Sequence, residues 1–360
     1  MVDLNYMTTK TAAAEWNITQ RRVLALCADD RIDGLARVEN IWLIPKNAKK
    51  PTDARTTRYT GRTEQTIVHP FVKWAGGKGQ LLEQIRKAYP QELGTHITKY
   101  AEPFVGGGAI LFDILSRYNL EEVYISDTNA ELINAYQVIK GQVKKLIKEL
   151  SRMQEEYIPL TDEKRKKYYY EKRDRYNEVK AKGNNGDVEC AALFIFLNRT
   201  CFNGLYRVNK KGQFNVPMGA YKNPLICDEK NLIGISNRLQ NVVMICGDYQ
   251  KATDFIDERT FVYFDPPYRP LTETSGFTSY TEDGFSDLAQ IELARFVDEM
   301  SDRGAKIVLS NSDPKNANED DNFFDALYAR HTINRVEASR SINSNSNARG
   351  KVKELLIRNF

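Results

Sequence analysis

Apolar positions along this chain fall into short runs that stop abruptly at glycine, proline or an acidic residue. The densest is Thr260-Phe261-Val262-Tyr263-Phe264, aromatic and β-branched throughout, which predicts a buried strand ending at Asp265-Pro266-Pro267-Tyr268. Similar runs predict strands over 97–104, 123–126, 242–246, 305–311 and 353–359. Helical spacing covers 8–16, 19–27, 81–88, much of 131–181, and the wholly apolar 191–197. Strands alternating with helices predict an α/β fold in which the strand ends near 104, 127 and 265 converge on one sheet edge. Open α/β sheets bind ligands along that edge.

The first fifty residues pattern differently. Two short helices, 8–16 and 19–27, precede a strand-like stretch over 38–45, with Val23, Leu26 and Cys27 on one face of the second helix. Gln20, Arg21 and Arg22 stand at the start of that helix, where a helix entering the major groove presents side chains to bases. The pattern resembles the helix-turn-helix of excisionase and MerR-like modules; a helical pair used for protein contact has the same spacing. The expected organisation is a helix-turn-helix module over 1–50 and a polar linker over 51–69. A catalytic domain follows from 70–135 and 241–360, interrupted by a target-recognition domain over 136–240.

Composition narrows the class. The chain has 360 residues, of which 41% are hydrophobic, enough for a sizeable core. Lys and Arg number 52 against 48 Asp and Glu, so any basic surface must come from clustering. Five scattered cysteines and three dispersed histidines support neither a disulfide framework nor a zinc site. The longest apolar run, Cys190 to Leu197, is far short of the ~20 residues that span a bilayer, and the start lacks a signal peptide's pattern. A soluble cytoplasmic protein without a membrane partner is expected.

The chemistry-bearing residues sit where strands end. The two prolines after Asp265 stiffen the turn, holding one carboxylate, two unpaired carbonyls and the Tyr268 ring in place. Such a turn could grip a flat neutral amine, or simply end a strand in solvent. Upstream, Phe104 leads through Val105 into the turn Gly106-Gly107-Gly108, and the next strand ends at Asp127. A strand, a glycine turn, a helix and a second strand ending in an acid can hold the ribose of a nucleoside cofactor, NAD and S-adenosylmethionine alike. The third glycine of the dinucleotide spacing is missing, which weighs against NAD. Asp248 follows the 242–246 strand, and Gly76, Gly77 and Gly79 flank Lys78 in a turn that is not a P-loop. In the middle segment, Phe202, Asn203 and Arg207 place an aromatic wedge, an amide and a guanidinium beside a hairpin over 208–214. Amides read adenine edges and guanidinium reads guanine, although Arg207 could equally form a surface ion pair. The Lys/Arg/Tyr-rich stretch over 164–173 fits a solvated helix face or a DNA-backbone contact.

In order along 70–360, these motifs resemble the DNA adenine methylase (Dam) family. The matching residues are Phe71-x-Lys-Trp-Ala-Gly-Gly-Lys78, Glu102-Pro-Phe-Val-Gly106, Leu197-Asn-Arg199, Phe202-Asn-Gly-Leu205, Arg207, Gly212-x-Phe-Asn-Val-Pro217, Asp265-Pro-Pro-Tyr268, Phe277-Thr278-x-Tyr280 and Ser341-Ile-x-Ser-Asn345. The resemblance implies a seven-stranded Rossmann-like methyltransferase sheet with a helical and hairpin target-recognition domain. It implies S-adenosylmethionine as cofactor, double-stranded DNA as partner, and methylation of adenine N6 in a short site, GATC, without a metal. Trp74, Lys78 and Asp127 would line the cofactor site, together with Phe104, Gly106, Asp248 and Asp265. Asp265 and the Pro266 carbonyl would hold the flipped adenine's amine, with Tyr268 stacked on the ring. Lys73, Asn203, Leu205, Arg207 and Pro217 match target-contacting positions, and Phe202 stands where family members often carry Tyr. Asp at 265 separates the chain from protein-glutamine methylases, which carry Asn there. A cognate restriction endonuclease, in a restriction-modification or mobile-element setting, is a partner the resemblance admits, and nucleoid association follows from the DNA substrate.

Overall fold

The structure, a computed structural model, describes residues 6–16, 18–28, 32, 34–38, 41–48, 50, 67–181, 187–269, 285–339 and 351–360. The 277–280 and 341–345 motifs and nearly all of the 51–69 segment lie outside the described residues. The chain divides into two compact units, Met1–Gln65 and Thr66–Phe360.

The first unit contains β1 (Tyr6–Met7), α1 (Thr9–Glu15), α2 (Gln20–Ala28), β2 (Ala36–Val38) and β3 (Ile41–Pro45). Thr8 caps α1 by accepting the Thr11 N–H, which satisfies one of the donors a helix start leaves open. Val23, Leu26 and Cys27 are buried on one face of α2 against Ala12, Trp16 and Ile44, as their spacing requires. Where the apolar pattern predicts one strand over 38–45, two are found: Val38 pairs antiparallel with Ile41, and the sheet order is β1-β3-β2. The polar pair Glu39-Asn40, between Val38 and Ile41, is the sequence signal that separates the two strands.

The second unit is built on a seven-stranded sheet in the order β6-β5-β4-β7-β8-β10-β9. Its strands are β4 (Lys99–Glu102), β5 (Glu122–Asp127), β6 (Val242–Cys246), β7 (Thr260–Phe264), β8 (Lys306–Ser312), β9 (Thr332–Ser339) and β10 (Lys351–Arg358). The first five in sheet order run parallel, while β10 lies antiparallel to both β8 and β9. β7 is buried along its whole length, which is why it reads as an unbroken apolar run and not as an alternation. Its period-two geometry still sorts the side chains. Phe261 and Tyr263 join a core on one face, and Val262 and Phe264 join a second core on the other.

Helices α3 (Leu82–Arg86), α4 (Ala109–Arg117), α5 (Ala130–Tyr157), α6 (Asp162–Lys180), α7 (Val188–Thr200), α8 (Glu229–Arg238), α9 (Asp287–Asp302) and α10 (Phe323–Leu327) complete the unit. The expected domain boundary at 135/136 falls within α5, whose helical geometry is interrupted at Gln142. Strand β9 and helices α8, α9 and α10 were not among the sequence-based expectations. For α9 the signal is present, since Ser286 caps it and Leu293, Phe296, Val297 and Met300 recur at helical spacing. Strand β9 mixes polar and apolar residues, and it owes its place to pairing with β10 over eight registered positions. Among the described residues, no helix is long and apolar enough to cross a membrane.

Candidate active site

Because β4, β5 and β7 are parallel neighbours, Glu102, Asp127 and Asp265 all reach the same sheet edge. Asp265 follows the last residue of β7. Its Oδ1 accepts a hydrogen bond from Ser310 Oγ at 2.9 Å and lies 2.8 Å from Lys78 Nζ. Ser310 belongs to the neighbouring strand β8, so the carboxylate is held both by the sheet and by the glycine-flanked turn around Lys78. Burial pushes the Asp265 carboxyl above the usual range, while the Lys78 ammonium and the Ser310 hydroxyl oppose the rise.

The Lys78 ammonium also donates to the Gly76 carbonyl at 2.8 Å and sits 4.5 Å above the Tyr268 ring. Tyr268 in turn donates its hydroxyl to Glu354 of β10 at 2.7 Å, which fixes the ring's plane. The proline turn departs from expectation in one respect. The Pro267 carbonyl is not unpaired but accepts from Gln290 of α9 at 3.1 Å, and Gln290 also accepts from Asn311 at 3.1 Å. Gln290 is completely buried, so an amide there without partners would be costly, and the carbonyl supplies one. Beyond the turn, Arg269 bonds Asp287 and Asp321, and its guanidinium lies over Phe323. Ser310, Gln290, Asn311 and Arg269 escaped the sequence reading because polar residues at the ends of late elements carry no spacing signature.

The second acid is organised by backbone donors. Asp127 Oδ2 accepts the Gly106 N–H at 3.1 Å and Oδ1 the Asn129 N–H at 2.9 Å. Burial raises its carboxyl, and these two N–H groups pull in the opposite direction. Gly106 adopts φ +48° and packs against Trp74 so closely that a Cβ would lie 2.8 Å from the indole. Tyr136 of α5 donates to the Gly106 carbonyl at 3.0 Å, so both faces of the turn are held. Trp74 stacks on Tyr206 at 5.6 Å, and Phe104 packs against Tyr249 at 5.7 Å. Asp248 follows β6 and caps the next turn by accepting the Gln250 N–H. Glu102, unassigned by the sequence reading, is buried and accepts the Tyr100 hydroxyl at 2.7 Å, and burial raises its carboxyl well above normal.

Away from this edge, α7 leads into the segment carrying Phe202, Asn203, Leu205 and Arg207. Phe202 is 52% exposed, and Asn203 is the non-glycine residue at positive φ, +56°, among the described residues. The Phe202 N–H donates to the Pro217 carbonyl, and Gly204 lies against the Lys73 side chain. Lys73, Phe202, Asn203, Leu205 and Pro217 are therefore brought together. Arg207, whose Nε donates to Asn215 at 2.8 Å, continues from them into a hairpin in which Val208 pairs with Phe214. Gln20 and Arg21 belong to the other unit: Gln20 donates to Thr9 Oγ1, Arg21 is exposed, and the side chain of Arg22 lies outside the described residues.

Sheet order, glycine turn and strand-end acids define a Rossmann-like methyltransferase. Residues 74–342 match the model of the D12 class N6 adenine-specific DNA methyltransferases. The chain is 51% identical over 295 residues to a type II methyltransferase of Methanocaldococcus jannaschii, covering 81% of this chain and 99% of that protein. It is 39% identical over 297 residues to a type II methyltransferase of Lactococcus lactis subsp. cremoris, covering 81% of this chain and 96% of that protein. It is also 34% identical over 287 residues to the DNA adenine methylase of Escherichia coli (strain K12), covering 79% and 93% respectively. The chain belongs to the D12 class of adenine-specific DNA methyltransferases.

Enzymes of this class take their methyl group from S-adenosylmethionine. The residues present fit that molecule. A strand-end carboxylate suits ribose hydroxyls, and the half-buried rings of Trp74 and Phe104 suit an adenine ring.

The ion pair at Asp265 can be tested directly. In Lys78→Met, the Asp265 carboxyl should titrate at higher pH than in the wild type, because the charge that opposed the burial effect is gone. Carbon NMR of labelled aspartate would read the change, and an unchanged titration would reject the pairing.

Proposed function

We propose that this enzyme methylates the N6 amine of adenine in GATC duplexes. The observation that carries this reading is the grouping of Lys73, Phe202, Asn203, Leu205 and Pro217, with Arg207 beside them, around an exposed aromatic ring. These positions match those that read the target in family members acting on GATC. Phe202 serves as a wedge that enters the base stack, a role needing a ring and no hydroxyl. The adenine swings out of the duplex, since its amine is otherwise paired within it.

Asp265 and the Pro266 carbonyl then accept hydrogen bonds from the two N–H groups of the amine, and Tyr268 stacks on the base. Both acceptors draw the amine's lone pair onto nitrogen and aim it along the line of transfer, which is a contribution of positioning. The sulfonium of S-adenosylmethionine, when bound, supplies the activated methyl group. Asp127 holds the ribose of that cofactor, with Trp74, Phe104, Gly106, Lys78 and Asp248 around it. The relatives named type II methyltransferases support a restriction-modification setting; a cognate endonuclease as partner and the nucleoid as the place of action are parts of the same proposal.

The first unit acts as a DNA tether. Thr8 capping and the buried face of α2 leave Arg21 exposed near the start of that helix. A regulatory role is the second reading, favoured by the position of this unit outside the family match.

Plasmid treated with enzyme and S-adenosylmethionine should resist an endonuclease blocked by GATC adenine methylation; complete digestion would refute the assigned site. Asp265→Ala should lower transfer roughly 10²–10³-fold or more while duplex binding persists, measured by labelled methyl incorporation beside a gel-shift assay. Removing residues 1–65 should weaken duplex binding and flatten its logarithmic salt dependence by about one to two, with methyl transfer retained. Binding and salt slope equal to those of the full chain would favour the regulatory role.

A further inference from the structure

Asn198 is 3% exposed near the end of α7 and spends its amide on two segments distant from each other in sequence. Its Oδ1 accepts the Lys73 N–H at 2.8 Å, and its Nδ2 donates to the Lys73 carbonyl at 2.8 Å and to the Gly204 carbonyl at 3.0 Å. The side chain thus pairs with Lys73 as a neighbouring strand would, while its remaining donor closes the turn that carries Phe202 and Asn203. Only a primary amide offers one acceptor and two donors at this reach; a carboxylate lacks the donors and a hydroxyl has one too few.

What Asn198 joins makes the junction more than a packing detail. Gly204, at φ +65°, lies so near Lys73 that a Cβ would stand 2.5 Å from the lysine Cδ. The residue after Lys73 is Trp74, whose ring stacks on Tyr206 at the end of the same turn and also covers Gly106. Gly106 is in turn held by Asp127. A displacement of the 202–206 turn therefore reaches the glycine turn through Lys73 and Trp74, and Asn198 is the clamp at the start of that path.

We propose that Asn198 is a positioning residue that couples reading of the DNA site to the shape of the cofactor pocket, and that it thereby sets site discrimination. This rests on the reading that the Phe202–Arg207 segment faces DNA. With the clamp intact, a correctly seated turn presses Trp74 into place; with a wrong base, the turn is misplaced and Trp74 with it. Without the clamp, turn and pocket move independently, so correct and incorrect duplexes are treated more alike.

The test first determines the wild type's preferred duplex, so that a preference other than GATC refutes the site assignment without touching this proposal. The ratio of kcat/KM for that duplex to kcat/KM for each one-base variant is then compared in wild type, Asn198→Ala and Gly204→Ala. The Kd of S-adenosylmethionine is measured with and without each duplex. The expected result is a discrimination ratio at least tenfold lower in both variants. The preferred duplex should also no longer tighten cofactor binding more than a mismatched one does. A merely structural role lowers the active fraction for all duplexes equally and leaves the ratio unchanged, which would overturn the proposal. Failure of both variants to melt cooperatively would overturn it too, since the junction would then serve folding alone. As a control, Phe202→Ala with unaltered discrimination would show that the segment does not read DNA, and the underlying reading would fail instead.

Discussion

A single carboxylate, that of Asp265, stands at a buried strand end. Burial alone favours its neutral form. The structure answers with two donors from separate parts of the chain, the Lys78 ammonium from the glycine-flanked turn and the Ser310 hydroxyl from β8. Much else follows from that pairing. Lys78 brings its turn over the Tyr268 ring, and Tyr268 is anchored to β10 through Glu354. Strand β8 supplies Ser310, and it also carries Asn311, which bonds the glutamine holding the Pro267 carbonyl. The proline turn is rigid by its covalent geometry, but its direction is set by these polar contacts.

The acid two strands away, at the end of β5, solves the same problem differently. Asp127 has backbone N–H groups as partners in place of a cation, one of them from the glycine turn that its own position helps to shape. Gly106 tolerates the left-handed backbone and the approach of Trp74, which a side chain would block. Trp74 then belongs to two neighbourhoods, since it covers the glycine turn and stacks on Tyr206. Tyr206 is itself fixed by Lys180 and Glu131, so helices α5 and α6 both hold the ring on which Trp74 stacks.

Element types were largely legible because the physics that sets them is local. Strand β7 announced itself by aromatic and β-branched residues stopped by prolines, α1 by its threonine cap, and α7 by a wholly apolar run. The acids at 127 and 265 were legible because each directly ends or follows such a strand. Strand β9 was not, since an edge strand with mixed polarity is specified by its partner's hydrogen bonds and not by its own pattern. The reversal between β2 and β3 did leave a local signal, the polar pair Glu39-Asn40 between Val38 and Ile41, which the strand-like residues on either side outweighed.

The sequence by itself determined the chemistry at the strand ends. The stiff Asp-Pro-Pro-Tyr turn, the glycine turn and the acid at 127 are local patterns whose constraints act within a few residues. Tertiary structure alone decided which groups meet them. That Lys78 would reach Asp265 from a distant part of the chain, that Gln290 would claim the Pro267 carbonyl, and that Asn198 would join Lys73 to Gly204 could not be read from spacing. Such contacts depend on the order of strands in the sheet and on which helix faces bury against it. Those are properties of the whole packed chain, fixed by the collective burial of its two cores and invisible to any local window.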